Sequence, residues 1–252
     1  MSTTDETGAT EVTALLDALL TAAADKSTRD HWERYLKGTA QFRGVPMAGV
    51  RASVRSLWRT RHLTTWSDAD LLGLAHRWFA QPMSEDKIAA ILLITEHLGD
   101  RLRNDHIDAL ARPLAEGWIA DWNVCDWYAT KAVHTFLTAD EAQLRPRAEA
   151  VAAWSRAPGL WQRRASVVAF VKLAGRSPHP FPGFADLLLD AAAANLVSGD
   201  RFAHTGPGWL LRELSRTAPD RVTEFIEAHS ELSPEAVRMA GARLRPGPYR
   251  RR

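Results

Sequence analysis

The sequence predicts an all-α protein, and three observations carry that prediction. Apolar residues recur at the three-to-four spacing of a helix face from about Glu11 to Leu244. Serines able to cap a helix stand immediately before several of these stretches. Alternating apolar–polar runs bounded by tight-turn dipeptides, the mark of a β-hairpin, are absent.

Taken in chain order, Met1 to Ala9 is polar and acidic, which predicts a loose N-terminus and not a signal peptide, whose basic start and apolar centre are missing. Val12, Leu15, Leu16, Leu19 and Leu20 then share one face of a first helix. Ser27 before Thr28-Arg-Asp-His-Trp32 starts the next. After a break at Gly44–Pro46, Arg51, Arg55 and Arg59 lie on one face at i, i+4 and i+8. Ser67 precedes Asp-Ala-Asp-Leu-Leu, and Ser84 follows the break at Gln81–Pro82. Further breaks fall at Gly99–Arg101, Pro158–Gly159, Ser177–Pro182, Ser198–Asp200 and Pro219. The Pro–Gly step in Gly206-Pro-Gly-Trp209 is read as a helix start that leaves Trp209 in the first turn, and Ser233-Pro234-Glu235 opens the last helix with proline at N1.

The result is about twelve or thirteen short helices, one pair per ~40–50 residues, the rhythm of a HEAT- or armadillo-type α-solenoid. Its paired antiparallel helices would form a concave basic groove. Trp122, Trp161 and Trp209 stand early in three successive units. A compact irregular helical bundle is the competing architecture. No break is long or low-complexity enough to be a linker, so residues 1–252 are read as one domain, loose at 1–9 and with a basic tail at 245–252.

Composition narrows the function classes. With 252 residues, 46% of them hydrophobic, the chain can bury a large core. A single cysteine, Cys125, can form neither an internal disulfide nor a thiolate metal site; beside Val124 it reads as a small core residue. That predicts a reducing, cytoplasmic setting. No apolar run approaches the ~18–20 residues that span a bilayer. The nine histidines form no HExxH pair or metal-ligand spacing, and neither a Gly-rich phosphate loop nor a Gly-x-Ser-x-Gly elbow occurs. Cofactor-dependent and metal-dependent chemistries drop out.

A net charge of +2 does not announce nucleic-acid binding, so distribution must decide. Arg43, Arg51, Arg55, Arg59 and Arg61 form one basic stretch. Arg145, Arg147, Arg156, Arg163, Arg164, Lys172 and Arg176 form a second, while acids gather from Asp68 to Asp108. One basic face would suit a phosphate backbone; ordinary solvated helix faces are the competing reading.

Three constellations could carry chemistry. In Asp121-Trp122-Asn-Val-Cys-Asp126-Trp127-Tyr128, Trp122 and Asp126 are one helical turn apart. An aromatic wall beside a carboxylate can hold a cation, although Trp122 and Tyr128 could equally be core aromatics. In Trp161-Gln-Arg163-Arg164, the two arginines point in different directions and one can fork onto a phosphate. In Trp209-Leu-Leu-Arg212-Glu213, Trp209 and Arg212 share a face.

In that order these pieces resemble the AlkD family of HEAT-like alkylpurine DNA glycosylases. Tyr35-Leu-Lys37 followed by Phe42-Arg-Gly44-Val45 is similar to the family's Tyr-x-Lys…Phe-x-Gly-Ile approach to its third helix. Trp78…Pro82…Glu85 with Ala89-Ala90 looks like its Trp…Pro…Glu…Ala stretch. Trp122-Asn-Val-Cys-Asp126 matches the Trp-Asp-x-Val-Asp pattern at its terminal residues. Trp161-Gln-Arg-Arg164-Ala with Lys172 and Gly208-Trp209-x-Leu-Arg212-Glu213 match two later helices. The resemblance spans roughly Trp32 to Ser230. Two departures stand out: Asn123 replaces the acid that usually follows the tryptophan, and His204-Thr205-Gly206-Pro207 stands where relatives often carry a lysine.

The resemblance implies a monofunctional glycosylase, without metal or cofactor, that hydrolyses the bond between deoxyribose and a cationic N3- or N7-alkylated purine in double-stranded DNA. It implies Asp126 as catalytic carboxylate, Trp122 and Trp209 as walls beside the lesion nucleotide, and Arg164 gripping the backbone. Tyr35, Lys172, Arg212 and Arg163 are further DNA-contact candidates. Some relatives protect producers of bulky adenine-N3 alkylating antibiotics, so bulky adducts enter the expected substrates. A monomer in the cytoplasm, at the nucleoid when acting on DNA, is the matching setting. The alternative is a non-catalytic HEAT-repeat scaffold that binds DNA or protein.

Overall fold

The computed structural model describes residues 3–244. Among these residues the regular backbone is helical, apart from an isolated parallel bridge between Gln41 and Met83. The all-α class is therefore as the sequence predicts. The basic tail at 245–252 lies outside the described residues. The chain divides after Ala139 into two compact units. Composition does not mark that boundary, because Ala139-Asp140-Glu141 is neither a flexible nor a Pro/Gly-rich linker. No described helix is long and apolar enough to cross a membrane.

The first unit opens with α1 (Thr3–Ala22), which buries Ala9, Val12, Leu16 and Leu20 and leaves Leu19 at 37% exposure. The expected loose segment is thus helical from Thr3. Its apolar stripe extends a turn upstream of Val12, Gly8 abuts the Trp66 ring, and Glu6 meets Arg77 at 3.3 Å. Helix α2 (Lys26–Tyr35) is capped by Asp25 and not by Ser27. The Asp25 carboxylate accepts both the Thr28 hydroxyl and the Thr28 N–H at 2.7 Å, a pair of donors that a serine two residues later cannot reach.

Helices α3 (Met47–Thr60), α4 (Asp68–Phe79), α5 (Ser84–Leu93), α6 (Ile107–Ala115), α7 (Trp122–Tyr128) and α8 (His134–Thr138) complete the unit. Ser67 caps α4 as expected, accepting from the Asp70 N–H at 3.2 Å. Ser84 caps nothing; it is buried, and its N–H donates to the Gln41 carbonyl at 2.9 Å. The neighbouring Glu85 holds the loop before α3. One of its oxygens accepts from the N–H groups of Gly44 (2.8 Å) and Val45 (3.1 Å), the other from Arg43 (3.0 Å). Gly44 is required there: its φ is 90°, and a Cβ would stand 2.2 Å from the Asp25 carbonyl oxygen. Packing is local, with α5 against α3, α4 and α7, as in stacked helical repeats.

The second unit contains α9 (Leu144–Ala153), α10 (Leu160–Val168), α11 (Val171–Ala174), α12 (Phe184–Asn195), α13 (Arg201–Leu214), α14 (Pro219–Ala228) and α15 (Pro234–Gly241). Helix α13 packs on α10, α11, α12 and α15. It does not start at the Pro–Gly step. Asp200 caps it by accepting from the Phe202 N–H at 2.7 Å, Pro207 lies inside it, and Trp209 is in its middle. An internal proline costs ~3 kcal/mol. Burial of Leu210, Leu211 and Leu214 at ~1.5–3 kcal/mol each exceeds that cost. Gly208 allows the close approach, since a Cβ there would lie 2.9 Å from the Ala236 Cα on α15. Ser233 and Pro234 open α15 as expected, with Ser233 accepting from the Ala236 N–H.

Candidate active site and nucleic-acid interface

In the first unit, α7 begins at Trp122 because Asp121 caps it, accepting from the Val124 N–H at 2.9 Å. Burial pushes the Asp121 carboxyl above the usual carboxylate range; bonds from Val124 and Asn123 and the Lys87 charge oppose that shift, and the Asp126 charge adds to it. Val124, Cys125 and Tyr128 face the core, fully buried. The Tyr128 hydroxyl donates to the Leu110 carbonyl at 2.6 Å. Tyr128 is therefore a core aromatic, and its hold fixes which side of α7 faces outward.

Trp122 and Asp126, one turn apart, are both half-buried on the outward side. After Tyr128 the helix widens into a π turn, Ala129–Val133, and the Thr130 hydroxyl donates to the Asp126 carbonyl at 2.6 Å. Tyr35, 56% exposed at the end of α2, meets the Trp122 ring edge-on at 5.8 Å. Tyr35, Trp122 and Asp126 are thus gathered at one surface. The structure adds Trp32 and His31, which the sequence reading did not single out. Trp32 stands edge-on to Tyr35 at 5.8 Å and stacks on Phe42 at 5.9 Å, and His31 stacks on Tyr35 at 6.4 Å. The signal was present in His31-Trp32-x-x-Tyr35, whose spacing places three rings on adjoining helix ridges. A carboxylate beside this aromatic surface can stabilise a cation.

The first basic stretch is largely consumed by ion pairs. Arg43 bridges Asp86 at 2.7 Å and Asp17 at 2.5 Å, Arg51 and Arg55 share Glu96, and Arg61 meets Glu11 at 2.5 Å. Sequence could not show this, because every partner lies on another helix.

In the second unit, Arg163 and Arg164 do point in different directions. Arg163 donates to the carbonyls of Ala157 (3.0 Å) and Pro158 (2.7 Å), bracing the turn before α10. Arg164 is only 5% exposed; it donates to the Phe202 carbonyl (3.1 Å) and the Thr205 hydroxyl (3.0 Å), and lies 5.7 Å from the Phe202 ring centroid. It ties α10 to α13. His204 accepts the Ser233 N–H on Nδ1 at 3.3 Å, which leaves Nε2 to donate to the Ser198 carbonyl at 2.7 Å. The His204-Thr205 pair is therefore built into helix packing.

Trp209, Arg212 and Lys172 do come together, around an open hollow of about 510 Å³ whose walls also include Arg176, Glu213 and Arg216. The Arg212 guanidinium stands 6.0 Å from the Trp209 ring centroid. Four cations and a half-buried indole suit a phosphate and its sugar. Among the described residues no group of three or more His, Cys, Asp or Glu could hold a metal ion.

The sequence matches a family described as DNA alkylation repair enzyme over residues 16–244. No curated protein matches it. Among solved structures, one described as a predicted DNA alkylation repair enzyme from Enterococcus faecalis is similar with a TM-score of 0.74 and 21% identity, covering 89% of this chain and 98% of that one. At that identity the likeness is one of fold.

Proposed function

The chain belongs to the DNA alkylation repair enzyme family, and from that premise we propose that it is a DNA glycosylase acting on cationic N3- or N7-alkylated purines, with Asp126 as its catalytic carboxylate. The observation that carries the proposal is the pairing of Trp122 and Asp126 on the outward face of α7, with Tyr35 against the indole.

An alkylated purine already carries positive charge, so it leaves as a neutral base without a general acid. This lifts the need for the second carboxylate of ordinary glycosidases. As the C1′–N bond breaks, its electron pair goes to the purine and positive charge builds on the sugar. Asp126 stabilises that charge, and water adds its oxygen to C1′ and loses a proton to the carboxylate or solvent. The indole face of Trp122 attracts the same cationic sugar. In the second unit, Trp209 with Arg212 and Lys172 is proposed to hold sugar and phosphate, and Arg164 to support that contact by anchoring α13 to α10. Because Tyr35 is exposed and Trp122 and Asp126 are half-buried, the carboxylate stands at the surface of its unit. Bulky adducts are therefore included in the proposed substrates.

The test is mass spectrometry of bases released from duplex DNA treated with a methylating agent or with a bulky adenine-N3 alkylator. Asp126→Asn is expected to slow release by ~10²-fold or more while duplex binding stays close to wild type. Full activity in that variant would remove Asp126 from the mechanism. Binding without release from any substrate would favour the non-catalytic scaffold.

A further inference from the structure

Glu213 has a place in the second unit that the roles above do not use. Its side chain is 12% exposed, and one oxygen accepts from Nε of Arg212 at 3.0 Å and lies 3.0 Å from its Nη2. The other accepts from Arg243 at 2.5 Å and lies 4.0 Å from an Arg216 nitrogen. One carboxylate therefore gathers three guanidinium groups, from α13, from the turn after it and from the turn after α15. Arg212, Arg216, Lys172 and Arg176 all line the same hollow, so a single acid cannot neutralise it. What Glu213 can do is fix geometry. Its contacts hold the Nε and Nη2 side of Arg212, whose guanidinium carbon stands 6.0 Å from the Trp209 ring centroid. An arginine already bonded in place has given up its rotamer freedom on folding and does not give it up again on meeting a phosphate.

We propose that Glu213 is a positioning residue for DNA: it acts through Arg212, holding that guanidinium against Trp209, and draws Arg216 and Arg243 to the same edge. The proposal rests on the reading of Trp209 and Arg212 as DNA contacts. It predicts a split that neither a purely structural acid nor a simple electrostatic brake would produce.

The experiment compares wild type, Glu213→Gln, Glu213→Asp, Arg212→Ala and the Arg212→Ala/Glu213→Gln double variant. It reads melting temperature, affinity for undamaged duplex across a salt series, and single-turnover release of alkylpurine. Glu213→Gln is expected to release base about tenfold more slowly, because a misplaced binding group costs rate. Its duplex affinity should stay within about threefold, with a salt slope steeper by about one as an arginine freed from the carboxylate meets phosphate. Glu213→Asp keeps the charge but withdraws the oxygens, so it should lose rate without the steeper slope. In the Arg212→Ala background the glutamine change should cost less than about twofold, since the group it positions is gone. An undiminished tenfold loss in that background overturns the proposal. So does a parallel fall of rate, affinity and melting temperature, or a joint rise of rate and affinity. If wild type releases no base, the glycosylase reading fails, and the salt slope alone decides the role of Glu213: an unchanged slope overturns it.

Discussion

Replacing Glu85 with alanine removes the acceptor for three consecutive backbone N–H groups. In the folded chain these bonds run from Arg43, Gly44 and Val45 at 2.8–3.1 Å. Gly44 and Val45 are buried and Arg43 is half-buried, so water can reach at most one of the orphaned donors. An unsatisfied buried donor costs about 1–3 kcal/mol, so the two buried ones together cost about 4 kcal/mol in the middle of that range. Spread over a protein of this size, at ~2–4 °C per kcal/mol, this lowers the melting temperature by about 8–16 °C. Glu85→Gln keeps one oxygen, able to serve Gly44 and Val45, and sets an NH₂ against the half-buried Arg43 donor. Its cost is about 1–2 kcal/mol. Urea titration followed by tryptophan fluorescence measures both, and hydrogen exchange at residues 43–45 shows whether the opening is local. If the alanine variant unfolds within about 0.5 kcal/mol of wild type, the carboxylate does not hold the loop and the reasoning fails.

Three further outcomes follow from the packing and the titrating groups. Tyr128→Phe leaves the Leu110 carbonyl without its donor in a fully buried site and is expected to cost about 1–2 kcal/mol in urea; a neutral result would mean that the bond contributes nothing net. Gly208→Ala pushes a methyl against the α15 backbone and is expected to destabilise by about 1–3 kcal/mol, and an unchanged melting curve would contradict the close approach at Ala236. Burial holds the imidazoles of His76 and His97 below their ordinary value, although the Ala109 carbonyl favours a charged His76 and Glu96 a charged His97. The unfolded chain then binds the extra protons, so this contribution is complete above the unfolded value near 6.5 and is lost as pH falls below it. Melting temperature should decline from pH 7 to pH 5.5, and a His76→Gln/His97→Gln variant that declines just as steeply would exclude these groups as the cause.

The legible parts of this protein are those set by residues within one or two helical turns. Helical spacing, the Ser67 and Ser233 caps and the adjacency of Trp122 with Asp126 all depend on local geometry, and each stands in the structure as read. The misreadings share one cause. The Pro–Gly step looks like a helix start because an internal proline is costly on its own, and only burial against α10, α12 and α15 offsets that cost. Ser27 and Ser84 look like caps until Asp25 and the Gln41 carbonyl take those roles.

By itself, then, the sequence determined the helical class, most of the breaks and the presence of an aromatic residue one turn from a carboxylate. Tertiary structure decided which charges remain for a ligand. Arg43, Arg51, Arg55 and Arg61 read as a basic face along the chain, but acids on α1, on α5 and on the π turn that follows α5, Ile94–Leu98, meet them in space. Lys172, Arg176, Arg212 and Arg216 come from two separate stretches and converge on one hollow beside Trp209. Charge acts through distance in three dimensions, and the spacing of residues along a chain does not contain that distance.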